Sequence, residues 1–266
     1  MAISWKARLV PLTPGRIELY LEHRYITLRI VWHRMTMFMA IFEGGILRAN
    51  LFLYDRYHRI ACFIFFWLIY VLLAGASVSA STISVPNDIP SIQGAINASQ
   101  NGDTVIVESG VYVNQFNENL TFWGRAIVVR SRNGAAATII DCESTAQAPG
   151  RAIRFENGED SMSVLEGFTF TGGYMDIGGA VYCSTGTSPT IRSCVFENNW
   201  ADRGGGLYCY MASPRVINST FRLNKTEGTY QQGAGVYLYR SDADFTNCLF
   251  EFNYSTHGGG VYCEES

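Results

Sequence analysis

Short runs of alternating apolar and polar residues fill the C-terminal two thirds of the chain. In the run Val181-Tyr182-Cys183, the first and third side chains face one way and Tyr182 faces the other. β-Branched and aromatic residues dominate such runs, which favours short strands over helices. The pattern therefore predicts a domain built mainly from strands.

A different pattern stands ahead of these strands. Ile89, Ile92 and Ile96 recur at a spacing that places them on one face of a helix, and Ser91 is available as its N-cap. Such a helix would cover the open first coil of a stacked structure. We therefore predict a short capping helix at the N-terminal end of the strand-rich domain.

The strand-like runs repeat along the chain. One phrase, with closely spaced glycines followed by an alternating run, occurs at residues 178–183, 204–209, 233–238 and 258–263. A second phrase follows the first three copies at residues 188–199, 213–224 and 241–253. The tyrosines of the first phrase are 26, 29 and 25 residues apart, a period typical of one turn of a solenoid. They are Tyr182, Tyr208, Tyr237 and Tyr262.

Strands stacked from successive coils form parallel sheets, so equivalent residues lie above one another as ladders. We predict two interior ladders from the first phrase, Val181, Leu207, Val236 and Val261, and Cys183, Cys209, Leu238 and Cys263. The second phrase predicts a phenylalanine ladder and an amide-bonded asparagine ladder. Their members are Phe196, Phe221 and Phe250, and Asn199, Asn224 and Asn253.

The N-terminal 80 residues differ from this domain. Residues 60–75 form an uncharged run as long as the apolar region of a signal peptide. The small residues at 78–80 predict cleavage before Ser81, and those at 74–76 are a nearby alternative. We therefore predict a signal peptide or signal anchor over residues 56–80, which implies a secreted or cell-surface protein. Residues 1–55 have no clear period and are left unassigned, either as a start codon placed too far upstream or as a short cytoplasmic tail.

Charge separates the same two parts. Residues 1–80 carry nine Lys and Arg against four Asp and Glu, whereas residues 81–266 carry eleven against nineteen, so the net charges are +5 and −8. An acidic domain without a basic patch argues against nucleic acid as a partner. We expect contact with a membrane only through the export signal or through an anchor beyond Ser266. The sequence ends at Ser266 inside a repeat, so we expect the domain to be truncated.

Seven cysteines occur, and Cys62 lies in the apolar run. The six others lie within the repeats, and the sequence is compatible either with disulfides between them or with buried free thiols. Because an in-register stack spaces Cβ atoms wider than a disulfide prefers, free thiols are favoured. The six are Cys142, Cys183, Cys194, Cys209, Cys248 and Cys263.

The repeats resemble a known group of proteins. The segment from Ile89 to Tyr112 resembles the N-terminal cap and first coil of bacterial members of the pectin-lyase-like superfamily. Gly-Gly-Ala-Val at 178–181 and Phe-x-x-Asn at 196–199, 221–224 and 250–253 resemble the repeats of chlamydial polymorphic outer membrane proteins. The resemblance covers residues 82–266, with Ala234 as a departure. It implies a right-handed parallel β-helix and a surface-exposed adhesin.

The sequence is compatible with two functions, ligand binding and catalysis. An outward row of tyrosines, Tyr182, Tyr208, Tyr237 and Tyr262, could present an aromatic platform to sugar rings, which predicts a non-catalytic module for a polysaccharide or cell-surface ligand. In the alternative, structural interpretation, the tyrosines only stack on one another on a pleated surface and bind no ligand. The functional alternative is a polysaccharide lyase or glycoside hydrolase acting on acidic polysaccharide.

Either enzyme would need carboxylates brought together by the stacked coils. Asp176, Asp202 and Glu227 lie in segments of variable length, so no common register is expected, and catalytic residues stay unassigned. The acidic run with Glu156, Glu159 and Asp160 could hold calcium, although its Asn-Gly dipeptide favours a simple turn. No specific motif supports a metal or another cofactor.

Overall fold

The structure, a computed structural model, describes residues 80–113 and 117–266 in full. Between residues 1 and 79 it describes only the backbone of five strands. Contacts between residues divide the chain into two units, Met1–Val78 and Ser79–Ser266.

The five strands of the first unit are antiparallel. Three of them, β1 to β3, form one sheet, and β4 pairs with β5. Their bounds are Arg8–Thr13, Arg16–Tyr20, Leu28–Val31, Phe38–Phe42 and Gly45–Ala49. No strands were predicted for these residues, which show no clear period. The predicted signal segment lies outside the described residues except for Ala80, and no helix among the described residues is long and apolar enough to span a membrane.

The second unit is a stack of coils whose strands form four parallel sheets. Sheet A consists of β6 (Thr82–Val85), β7 (Thr104–Val107), β10 (Val128–Ser131), β13 (Val164–Glu166), β17 (Thr190–Arg192), β21 (Arg215–Ile217) and β25 (Asp244–Thr246). Sheet B consists of β8 (Gly110–Tyr112), β11 (Thr138–Asp141), β14 (Thr169–Thr171), β18 (Val195–Glu197), β22 (Thr220–Arg222) and β26 (Leu249–Glu251).

The other two sheets follow in each coil. Sheet C consists of β9 (Leu120–Thr121), β12 (Ile153–Phe155), β16 (Val181–Cys183), β20 (Leu207–Tyr210), β24 (Val236–Tyr239) and β27 (Val261–Glu264). Sheet D is shorter and consists of β15 (Tyr174–Ile177), β19 (Trp200–Arg203) and β23 (Lys225–Thr226). Seven coils are therefore stacked along sheet A, and the predicted parallel β-helix is confirmed.

The predicted apolar ladders are in register. Val181 pairs with Leu207, which pairs with Val236, and this ladder fills the interior behind sheet C. In sheet B the rings of Phe196 and Phe221 lie 4.4 Å apart and nearly parallel. Alternation along each strand thus places one side of sheets A, B and C in a continuous core.

Each copy of the second phrase forms two strands, one in sheet A and one in sheet B, separated by a sharp bend. Ser193, Asn218 and Asn247 occupy this bend with φ of 54°, 50° and 53°. Asparagine tolerates this left-handed conformation, which explains how the chain turns without a glycine.

The capping helix is also confirmed. Helix α1 spans Ile92–Ala98, and the Ser91 hydroxyl accepts a hydrogen bond from the Gly94 N–H. Ile92 and Ile96 are fully buried, and the helix packs against β6, β7 and β9. The helix therefore covers the core at the first coils.

The asparagine ladder is a chain of buried amide hydrogen bonds. The Asn224 amide oxygen accepts from the backbone N–H and the amide of Asn199, while its amide donates to the Phe196 carbonyl and to Asn253. Asn199 and Asn224 are both fully buried. These side chains satisfy backbone groups at the turn that follows sheet B, which is the structural role that the sequence predicted.

The six cysteines of the second unit carry free thiols. Cys183 and Cys209 pair in register in sheet C, and both are fully buried. Burial raises the pKa of the Cys183 thiol well above its ordinary value. These two thiols therefore act as small apolar side chains of the core, as do the buried thiols of Cys142 and Cys194. Cys248 is partly buried, and Cys263, predicted to lie in an interior ladder, is exposed.

Candidate functional site

The predicted tyrosine row forms a continuous stack on the outer face of sheet C. Ring centroids are 5.8 Å apart between Tyr182 and Tyr208, 4.9 Å between Tyr208 and Tyr237, and 5.5 Å between Tyr237 and Tyr262. The interplanar angles lie between 3° and 24°. The stacking that the sequence predicted is therefore present.

The exposure of this stack differs from the prediction. Tyr208 is 5% exposed and Tyr237 is fully buried, whereas Tyr182 and Tyr262 are half-buried. The Arg203 guanidinium lies 5.7 Å from the centre of the Tyr237 ring. Burial raises the pKa of the Tyr237 hydroxyl, which donates a hydrogen bond to Glu264. The four tyrosines therefore do not form one open aromatic platform.

Arg203 reaches the tyrosines from the end of β19, a strand that the sequence did not predict. Its guanidinium also lies 4.4 Å from the ring centre of Tyr230, so the cation is held between two aromatic rings. Sheet D thus closes over the middle of the tyrosine stack.

Sheet D brings a second set of aromatic and charged side chains into register. Tyr174 pairs with Trp200, and Trp200 pairs with Lys225. Two residues further along each chain segment stand Asp176, Asp202 and Glu227, and alternation places them on the same face as the first row. The prediction that these three acids share no common register is therefore wrong.

All members of these two rows except Lys225 line a groove of about 240 Å³. The Tyr174 and Trp200 rings lie 5.9 Å apart at an angle of 52°, and Trp200 is 39% exposed. The remaining lining comes from Met175, Ala201, Gly228 and Thr229. The groove therefore offers an aromatic surface to solvent beside a row of carboxylates.

A cation of the chain contacts two of the residues that line the groove. The Lys225 ammonium lies 5.1 Å from the centre of the Trp200 ring and forms an ion pair with Glu227. The other two acids differ, because neither Asp176 nor Asp202 forms an ion pair with a described residue. Both acids nevertheless lie near a cation of the chain, because Asp176 interacts electrostatically with Arg151 and Asp202 with Arg203.

Asp202 also fixes one wall of the groove. Its Oδ1 accepts hydrogen bonds from the backbone N–H groups of Tyr230 and Gln231, at 2.7 and 3.1 Å. A Cβ added at Gly228, where φ is +126°, would lie 2.8 Å from the same oxygen. The loop after β23 thus packs closely against the Asp202 carboxylate, and only glycine fits at position 228.

A comparison with protein-family models gives one match, described as "Right handed beta helix region", over residues 109–266. The match covers more than half of the chain. The chain belongs to this right-handed β-helix family. Sheet D and the groove lie wholly inside the matched residues. Searches among curated proteins and among solved structures found no match to the chain.

In this right-handed β-helix the acidic run at residues 156–160 is a turn. Glu159 is fully buried, and its two carboxylate oxygens accept hydrogen bonds from the backbone N–H groups of Gly124 and Asn157, both at 2.9 Å. The Asp160 carboxylate accepts from the Met162 N–H. No group of three or more metal-ligating side chains is assembled within the described part of the chain.

The β-helix also has a tyrosine pair that the sequence analysis missed. Tyr210 and Tyr239 stack at 5.3 Å with an interplanar angle of 10°, and Tyr210 is 37% exposed. Each follows a tyrosine of the predicted row by two residues, so alternation could have identified the pair. These rings and the groove of sheet D present the aromatic surface that the buried middle of the row does not.

Proposed function

We propose that the protein is an exported β-helix displayed at the cell surface, where it binds carbohydrate through the groove of sheet D. The solvent-facing pair of Tyr174 and Trp200 carries this proposal, because sugar rings pack their apolar faces on exposed aromatic side chains. The apolar run at residues 60–75 supports export, and the resemblance of the repeats to those of chlamydial polymorphic outer membrane proteins supports an adhesin-like role.

The shape of the groove favours a chain-like ligand over a small compact one. Equivalent side chains recur at each coil, about 4.8 Å apart along the stack, so successive units of a polymer meet successive rungs. The row continues beyond Lys225 with Tyr254, which is paired with it by an isolated bridge and is 68% exposed. A linear oligosaccharide that lies along the stack would contact several of these side chains at once.

Trp200→Ala should weaken carbohydrate binding by about tenfold or more, since it removes the larger half of the aromatic surface. Oligosaccharides that the full chain binds on a glycan array would be titrated calorimetrically against the variant. Trp200→Tyr should retain most of the affinity because it keeps an aromatic ring. Trp123→Ala, which removes an exposed tryptophan outside the groove, is the matched control and should bind like the unaltered chain.

Two results would contradict this proposal. One is an array on which no carbohydrate binds the full chain. The other is a loss of affinity in Tyr182→Ala without a loss in Trp200→Ala, which would place the ligand on the tyrosine row of sheet C.

The carboxylate row favours glycoside hydrolysis as a second candidate function. Carboxyl groups about 5 to 5.5 Å apart serve retaining glycosidases, and groups about 6.5 to 9.5 Å apart serve inverting ones. Asp176, Asp202 and Glu227 recur at intervals of one coil, about 4.8 Å, so neighbouring or alternate rungs come close to either separation.

Hydrolysis is tested on the same oligosaccharides. Mass spectrometry after prolonged incubation should show shorter products if the row is catalytic, and Asp202→Asn should abolish them while leaving binding within about threefold. Intact oligosaccharides recovered from an incubation in which binding is demonstrated would rule out the hydrolase and leave the binding function.

A further inference from the structure

Two cysteines lie side by side in the core behind sheet C. Cys183 in β16 pairs in register with Cys209 in β20, the equivalent strand of the next coil. Both side chains are fully buried, because alternation directs both of them into the interior. Burial raises the pKa of the Cys183 thiol, and the adjacent Cys209 thiol raises it further. The two thiols therefore share one part of the core and interact there.

The spacing of the coils suits a bond between these two sulfur atoms. Neighbouring strands lie about 4.8 Å apart, and the Cα atoms of disulfide-bonded cysteines lie about 4.4 to 6.8 Å apart. In-register stacking sets the Cβ atoms at about the strand spacing, a few tenths of an ångström beyond the upper end of the range of about 3.5 to 4.5 Å found in disulfides. A bond between Cys183 and Cys209 therefore requires only a small shift of two short strands.

The other cysteines of sheet C and its neighbours have no cysteine at the paired position. The residue above Cys209 in the next coil is Leu238, and Leu238 in turn pairs with Cys263. Cys142 follows β11 at the position where the next coil has Gly172. Each of these pairings places a thiol next to a residue that cannot form a disulfide.

The two cysteines that precede strands of sheet B are also separated. Cys194 and Cys248 occupy the same position two coils apart, and Ser219 lies between them. The Ser219 hydroxyl accepts a hydrogen bond from the Cys194 N–H. Two coils span about 9.6 Å, which exceeds the reach of a disulfide. Among the described residues, Cys183 and Cys209 are thus the one cysteine pair on adjacent rungs.

We propose that Cys183 and Cys209 form a disulfide bond between consecutive coils when the exported chain folds in an oxidising compartment. The inference rests on the export part of the proposed function, because disulfides form and persist mainly outside the cytoplasm. It assigns a covalent modification to the core, away from the groove of sheet D. The bond ties two turns of the solenoid together.

The bond forms by exchange with a disulfide oxidant, such as oxidised glutathione or an oxidised dithiol enzyme. One cysteine thiolate attacks the oxidant and forms a mixed disulfide, which releases one thiol, and the second cysteine then displaces the other thiol. The two cysteines lose two electrons and two protons, and the oxidant gains both. Because buried thiols with a raised pKa react slowly, the exchange takes place during folding, before the coils close.

The test is refolding of the full chain from urea in a mixture of oxidised and reduced glutathione, followed by alkylation of free thiols. Trypsin cleaves after Arg192 and Arg203, so Cys183, Cys194 and Cys209 fall in three different peptides. Mass spectrometry should show the Cys183 and Cys209 peptides joined, and reduction should separate them. A refolded chain with both of these cysteines alkylated, or with either of them joined to Cys194, would overturn the inference.

Matched variants separate the crosslink from an effect on packing. In the unaltered chain, oxidation should raise the urea midpoint of unfolding by about 1 M relative to the reduced chain, because the crosslink limits the freedom of the unfolded state. Cys209→Ala, which keeps a small apolar side chain, should abolish this shift. Cys263→Ala, which removes an exposed cysteine paired with Leu238, should retain it. A shift of the same size in Cys209→Ala would contradict the assignment of the bond.

Failure of the inference and failure of the proposed function give different results. A refolded chain that lacks the bond but binds carbohydrate would overturn the inference alone. Export is tested by fusing residues 1–80 to a reporter phosphatase that is active only outside the cytoplasm. An active reporter is expected. An inactive reporter would overturn the export part of the proposed function, and with it the compartment that the disulfide requires.

Discussion

Asn224→Ala should lower the free energy of unfolding by about 4 kcal/mol, because each buried polar group left without a partner costs roughly 1 to 3 kcal/mol. The substitution removes the acceptor of the Asn199 N–H and one donor to the Phe196 carbonyl. Both groups lie in the interior, where no solvent replaces the lost bonds. Urea denaturation of the full chain, followed by far-UV circular dichroism, measures the change.

Asn133→Ala is the control for this prediction. Asn133 is exposed, and its amide donates only to the Ser109 hydroxyl, so the same substitution there should change stability by less than about 0.5 kcal/mol. Equal losses in the two variants would show that the asparagine ladder does not stabilise the stack.

Phe221→Ala should cost about 3 to 5 kcal/mol, the usual range for removing a large aromatic side chain from a packed core. Phe221 is fully buried, and its ring stacks on Phe196 at 4.4 Å and on Phe250 at 5.0 Å. The substitution would therefore leave a cavity in the middle of a ladder, and the contacts with the coils on both sides would be lost. Urea denaturation again gives the loss of stability.

Phe252→Ala is the control for this prediction, because it removes a phenylalanine ring that lies on the surface. This side chain is 78% exposed, so the substitution should leave the unfolding midpoint within experimental error. A Phe221→Ala variant as stable as Phe252→Ala would mean that the phenylalanines do not form the core ladder.

The ladders could be predicted from the sequence because each depends on two local signals. Alternation identifies the inward positions of a strand, and the period identifies the position that lies above it in the next coil. Val181, Leu207 and Val236 satisfy both signals, and so do Phe196 and Phe221. The capping helix was predictable for a similar reason, since Ser91 and the spacing of Ile92 and Ile96 lie within a few residues of one another.

Sheet D was missed because its strands lie in segments of variable length before the glycines. Counted back from Gly178, Gly204 and Gly233, the acids stand two, two and six residues away, so no register is apparent. Counted forward from the phenylalanine ladder, the spacing is constant. Asp176, Asp202 and Glu227 each follow a phenylalanine by six residues, and Tyr174, Trp200 and Lys225 follow it by four.

The burial of the tyrosine row could not be predicted from the row itself. Alternation correctly placed Tyr208 and Tyr237 on the outer face of sheet C, but an outer face is exposed only if no other element covers it. Arg203 and Tyr230 belong to sheet D and to the loop after it, so their position over Tyr237 depends on a sheet that the sequence did not reveal.

Carbohydrate binding along sheet D is tested most directly by a crystal structure of the full chain with an oligosaccharide that it binds. We predict a sugar ring in contact with the exposed indole of Trp200. An oligosaccharide bound on another surface, with the groove of sheet D empty, would contradict the proposed function.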